Sequence, residues 1–200
     1  MRDGSRGRPA VTFHRRRLAR RVYPPGGPAA GLPAGPPNAS SSRCARRLPA
    51  RLAHCMRWIS QADTALDRAL NRYSHGSLLA EKQGIQWLIA DSAMELYQCK
   101  LMVLHAASKI DKGEDFRTEV SMSKHFVANS LNRIVDRAIQ VHGALGYSTD
   151  TPLAKMLQHA RWARFADGAD EIHQMRIAEH TIAAYQSTGS TNAATGGLPL

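Results

Sequence analysis

From Arg51 onward the apolar residues recur at spacings of three and four, the period of a helix with one buried face. Leu52, Cys55, Met56, Ile59, Ala62, Leu66 and Leu70 place a first helix over about Leu48–Tyr73, interrupted by Ser74-His-Gly-Ser77. A long second helix is predicted over about Leu78–Lys112. Its buried stripe is read as Ile85, Leu88, Ile89, Ala93, Leu96, Leu101, Leu104 and Ala107, and Gly113 stands where a terminating glycine belongs. A third, over about Thr118–His142, carries Val120, Phe126, Val127, Leu131, Ile134, Val135, Ala138 and Ile139 and runs into a glycine loop, Gly143-Ala-Leu-Gly146. A shorter fourth helix opens near Thr151-Pro152, proline being favoured in a first turn, and reaches about Arg164. The last spans about Asp170–Tyr185, with Asp170 and Glu171 set against its N-terminal dipole. Long helices joined by short loops, without strand-like alternation, predict an all-α, up-down helical bundle.

The formal net charge of +11 would by itself suggest a polyanionic partner. Its location removes that suggestion for the bundle. Residues 1–50 hold eleven Arg, no Lys and a single acid, Asp3, whereas residues 51–200 hold sixteen Lys and Arg against fifteen acids. The first 45 residues, with the Pro/Gly/Ala/Ser run Pro24–Ser42, have too little apolar surface to offset their ordering entropy and are expected to be disordered. Three readings of this arm stand side by side: a transit peptide, a basic arm for nucleic acid, or an accidental N-terminal extension. The expected organisation is this arm (1–45), a bundle (46–186) and a frayed polar tail (187–200).

Cys44, Cys55 and Cys99 form neither a disulfide framework nor a zinc-ligand spacing, so a reducing compartment is expected. That means the cytoplasm, or the mitochondrial matrix if the arm is a transit peptide. No apolar run is long enough to span a bilayer. His142, His159, His173 and His180 supply no paired spacing with a third ligand, and no metal site is expected. Trp58, Trp87 and Trp162 are read as core or subunit interface, and the aromatics are not interleaved with basic residues as a nucleic-acid surface would require.

Four elements carry chemistry in a fixed order. Arg72-Tyr-Ser-His-Gly76 leads to Gln83; Gln140-Val-His-Gly-Ala-Leu-Gly-Tyr147 follows, then Gln158-His-Ala-Arg161, then Asp167-Gly-Ala-Asp-Glu-Ile172. Together they resemble the C-terminal helical domain of FAD-dependent acyl-CoA dehydrogenases. The Asp-Gly-x-Asp-Glu-Ile-His loop and His54-Cys-Met-Arg57 are similar to a subgroup in which aspartate replaces the usual glutamate base.

The resemblance implies α,β-dehydrogenation of an acyl-CoA thioester, with Asp167 as the base in a water-poor pocket. By itself, Asp167 also reads as an ordinary loop or helix-capping aspartate. Gln140, Gly143 and Ala144 match the loop that approaches the adenosine diphosphate part of FAD, usually from a neighbouring subunit. Helix termination explains the glycines equally well, and Ala144 replaces a family glycine. Arg72 and Gln83 match further FAD contacts, Arg72 as a cation for the pyrophosphate, although His75 replaces a phenylalanine and a lone helical arginine is usually solvated. Glu171 matches a cofactor-touching position where glutamine is usual, and Ala169 lacks a hydroxyl common there. Arg161 is read as an ion-pair partner. A full family member also has an N-terminal helical domain and a middle β-domain, which Met1–Ala50 does not supply, and the segment between His54 and Arg72 is shorter by about one helical turn. The expectation is an incomplete fragment; the alternatives are a non-catalytic, self-associating helical module or nucleic-acid binding through the arm.

Overall fold

The computed structural model describes residues 39–190, 192 and 195, with side chains from residue 50 onward. The order is α1 (Ala39–Leu70), a hairpin of β1 (Tyr73–Ser74) and β2 (Ser77–Leu78), a 3-10 turn (Leu79–Glu81), α2 (Gln83–Asp111), α3 (Arg117–His142), α4 (Ala144–Tyr147), α5 (Leu153–Ala163) and α6 (Asp170–Thr188). Polar pairs between helices set their directions. Arg133 and Arg137 reach Glu95 at 2.7 and 2.9 Å while Lys109 meets Glu119 at 2.6 Å, so α3 runs antiparallel to α2. Lys100 pairs with Asp63 on α1 at 3.0 Å, Asn132 donates to the Ala160 carbonyl of α5 at 2.6 Å, and His159 meets Gln61 at 2.8 Å. The up-down bundle expected from the periodicity is the one found.

Helix α3 is the axis of the core. Val120, Val127, Ala128, Leu131, Ile134, Val135 and Ala138 are buried along it against Cys55, Trp58, Ile59, Ala62 and Ala65 of α1 and Leu96, Cys99, Val103 and Ala106 of α2. Each large side chain buried between the helices contributes roughly 1.5–3 kcal/mol. The free thiols of Cys55 and Cys99 lie in this core, and burial pushes the Cys55 thiol up to about 12, so it is an inert filler.

Several boundaries differ from the sequence reading, each for a local reason. Helix α1 begins at Ala39, inside the stretch expected to be disordered; residues 1–38 of the arm lie outside the described residues. The break after α1 is a two-residue hairpin rather than a plain loop. Its turn residues His75 and Gly76 both have positive φ, 53° and 81°, as a primed hairpin turn requires. Lys82 is extended (φ −88°, ψ 130°), so α2 starts at Gln83 and not at Leu78. Its C-terminus is as expected: Gly113 N–H bonds Ile110 O and Glu114 N–H bonds Lys109 O, both at 3.0 Å, the paired bonds of a Schellman end. Pro152 stands just before α5 rather than within it, and α6 runs on to Thr188, where left-handed Gly189 caps it.

The stripe assigned to α2 is the larger correction. Leu96 is buried and Ile85 and Leu88 pack against the core, but Ala93, Leu101 and Leu104 are exposed. Buried in their place are Ser92, Cys99, Val103 and Ala106. Helix α2 carries two apolar faces, and periodicity does not say which one the bundle uses.

Candidate active site

The loop between α5 and α6 presents Asp167. It is one of two non-glycine residues with positive φ among those described, at 54°, and Gly168 follows at 110°. Two consecutive left-handed residues do not form without restraint, and the restraint comes from beneath. Lys124 of α3, wholly buried, donates from Nζ to the Gly168 carbonyl at 2.7 Å and the Arg164 carbonyl at 3.2 Å, and lies 3.6 Å from Asp170 Oδ1. Asp170 in turn accepts from Arg164 Nε at 2.7 Å and Asn129 Nδ2 at 3.1 Å. Burial pulls the Lys124 amine below its ordinary value while Asp170 resists that fall. For Asp170, burial acts to raise the carboxyl; bonds from Arg164 and Asn129, with the Lys124 charge, outweigh it and leave the acid below its usual range. Asp170 therefore does more than complement a helix dipole: it closes a buried network that pins both ends of the loop.

Asp167 projects toward α1, where His54 Nε2 lies 3.1 Å from Oδ2. Arg57 Nη2 contacts His54 Nδ1 at 3.2 Å. A guanidinium only donates, so Nδ1 is the acceptor in that contact. The two side chains open on a cleft of about 470 Å³ lined by Ala50, Arg51, His54, Asp167, Gly168, Ile172, His173 and Arg176. His173 is fully buried against Gly168, where an added Cβ would come within 3.0 Å of Nε2, so glycine is required there by packing as well as by φ. Burial, reinforced by the Lys124 and Arg51 charges, pushes His173 down to about 4; the nearby Asp167 backbone offsets this only in part. The imidazole is neutral at physiological pH. The water-poor surround expected for the base is not formed by the described residues, since the Asp167 side chain is 42% exposed. Glu171, in the first turn of α6, is exposed and makes no side-chain bond among the described residues.

The other site residues gather elsewhere. Arg72 lies between α1 and the hairpin, with its backbone carbonyl accepting from Leu79 N–H at 2.9 Å and its Nε buried without a partner among the described residues. Gln83 opens α2, and Gln140, Gly143 and Ala144 lie exposed at the end of α3. Because α2 and α3 are antiparallel, these five share one end of the bundle. Along α3, sixteen residues separate Lys124 from Gln140, about 24 Å of helix, so the base loop sits toward the opposite end. Gly143 (φ 61°, ψ −142°) has open space where a Cβ would go, and so is set by backbone conformation alone. Gly146 is different: a Cβ there would lie 2.8 Å from both Ile139 O and His142 Cβ. Arg161 makes no ion pair among the described residues; its guanidinium lies over the Phe165 ring at 5.5 Å.

Lys124, Asn129 and Arg51 were not picked out from sequence, and His54 was noted only as part of a motif, without a role in the site. A signal for Lys124 existed, since Val120, Lys124, Val127 and Leu131 fall on one apolar stripe.

Residues 48–182 match the family described as acyl-CoA dehydrogenase, C-terminal domain, and the chain belongs to it. Among curated relatives, the probable acyl-CoA dehydrogenase FadE2 of Mycobacterium tuberculosis is 40% identical over 150 residues, covering 72% of this chain and 37% of that protein. A solved acyl-CoA dehydrogenase structure from Mycobacterium abscessus superposes with a TM-score of 0.68 at 37% identity, over 76% of this chain and 39% of that one. An FAD complex of PigA aligns with a TM-score of 0.55 at 26% identity, over 64% of this chain and 33% of its own. The chain thus spans well under half the length of these relatives.

Proposed function

We propose that the chain acts as the C-terminal helical domain of an FAD-dependent acyl-CoA dehydrogenase of the aspartate-base kind, with Asp167 removing the α-proton of an acyl-CoA thioester. The observation that carries this reading is the pinned, left-handed loop that holds Asp167 against His54. A base acts only if its oxygen is fixed near the carbon it deprotonates. His54 Nε2 lies 3.1 Å from Oδ2, which leaves Oδ1 free to receive the proton. Aspartate is one methylene shorter than glutamate, so the substrate carbon has to approach this loop more closely.

FAD, when bound, supplies the acceptor for the β-hydrogen leaving as hydride. Arg72, whose Nε is buried and unpaired, fits a pyrophosphate partner. Gln83, Gln140, Gly143 and Ala144 would hold the adenosine diphosphate half at the same end. Among the described residues the only strands are those of the hairpin, so a β-domain surface for the flavin ring and the CoA thioester has to come from outside them. Equilibrium dialysis of the chain against FAD tests the reading. Retention of flavin above a protein-free chamber is expected, and equal concentrations on both sides would contradict it.

A second reading, self-association, is favoured by one specific observation. Trp87, Ala90, Met94, Tyr97, Leu101 and Leu104 form an exposed stripe on α2 at alternating three- and four-residue steps, the spacing of a helix seam. A second copy of α2 is its proposed occupant.

A further inference from the structure

We propose that the cleft beside Asp167 receives a negatively charged group, a carboxylate or a phosphate, carried on the acyl chain of the thioester, with Arg51 as its principal ligand. This rests on the reading of the cleft as the acyl site and adds the class of acyl group it takes.

Arg51 lies one helical turn before His54, on the same face of α1, and lines the same cleft. Its Nε and Nη1 atoms are buried with no hydrogen-bond partner among the described residues. Among the described residues the sole carboxylate lining the cleft, Asp167, lies 3.1 Å from His54 and forms no ion pair with Arg51. A guanidinium with two buried and unanswered donors is costly to keep, and its fork matches a carboxylate or phosphate oxygen pair. His173 adds a neutral, fully buried imidazole. Arg176, one turn further along α6, adds a second cation. Two guanidiniums thus face one already-paired carboxylate, and the surplus is positive.

The dimensions argue that the anion arrives attached to something larger. A cleft of about 470 Å³ far exceeds a single ion's share of volume, given roughly 30 Å³ for a water. The apolar side chains of Ala50 and Ile172 line it beside the charges, which suits a short carbon chain ending in an anion.

The test uses the full chain. Its thermal midpoint is followed against sodium phosphate and sodium glutarate, with chloride holding ionic strength constant. A saturable rise with either anion is expected, weakened at least tenfold in Arg51→Gln, partly retained in Arg51→Lys, and unchanged in Arg68→Gln, an exposed arginine on the same helix. Glutaryl-CoA is expected to displace the anion at lower concentration than butyryl-CoA. No saturable rise, or an equal rise in Arg51→Gln, overturns the site. Equal competition by the two thioesters overturns its assignment to the acyl chain. FAD retention, read separately, is independent of these outcomes, so failure here leaves the family function standing.

Discussion

Lys124 sits where a leucine would read more naturally, one turn after Val120 and three residues before Val127 on the buried face of α3. An apolar stripe announces burial but not what a lysine within it would meet, because its partners are the Arg164 and Gly168 carbonyls of a loop forty residues away. Removing one member of a buried charged network typically costs about 3–5 kcal/mol. Lys124→Met is accordingly expected to lower stability by that order in urea denaturation; a loss below about 1 kcal/mol would show that the clamp is dispensable. His173 makes a pH prediction with a definite sign. Its folded pKa, about 4, lies below the ordinary 6.5, so between those values the unfolded chain binds a proton the folded one refuses. Its contribution to stability is present above pH 6.5 and is lost as pH falls toward 4. From pH 7 to pH 5 the wild-type protein should lose about 2 kcal/mol more than His173→Gln. Parallel pH profiles would contradict the buried, neutral imidazole.

Glycines show how far local signals go at the level of elements. Gly113 was legible because a helix end needs a left-handed residue, and the end is where the sequence placed it. Gly143 and Gly146 looked equivalent, yet one is required by its backbone angles and the other by the close approach of α4 to Ile139 and His142. Only the packing of α4, which periodicity does not reveal over four residues, separates them. Gly146→Ala should cost about 2 kcal/mol by overpacking, whereas Gly84→Ala, in the first turn of α2 with nothing within 4 Å of the new methyl, should stabilise by about 0.5–1 kcal/mol. Denaturation midpoints moving in the same direction for both variants would refute this contrast. The hairpin at Tyr73–Leu78 was missed because Ser-His-Gly-Ser reads as a helix break, and a two-residue strand has no alternation to detect.

For the molecule as a whole, the helical bundle and the chain order of the motif residues could be read in advance, since both depend on patterns along the sequence. What could not be read was which residues share an end. The motif residues divide into an Asp167 cleft and an Arg72–Ala144 end, and helix direction alone decides that division. The two faces of α2 follow the same logic: each is apolar, and only the packed structure shows that Trp87, Met94, Tyr97, Leu101 and Leu104 point outward. Light scattering on the purified chain is expected to give a dimer or larger, and Tyr97→Glu with Leu101→Glu together should give a monomer that keeps its helical content. An oligomer unchanged by both substitutions would place the interface elsewhere. No helix among the described residues is long and apolar enough to cross a membrane, and none of their His, Cys, Asp and Glu groups forms a metal-holding cluster.

The central claim is that one end of this bundle holds the adenosine diphosphate half of FAD while the flavin ring is held elsewhere. Competition for FAD bound to the full chain addresses it directly. ADP should displace FAD whereas riboflavin should not, and Arg72→Gln should weaken FAD binding by at least tenfold. Displacement by riboflavin, or FAD affinity unaffected by Arg72→Gln, would contradict the account.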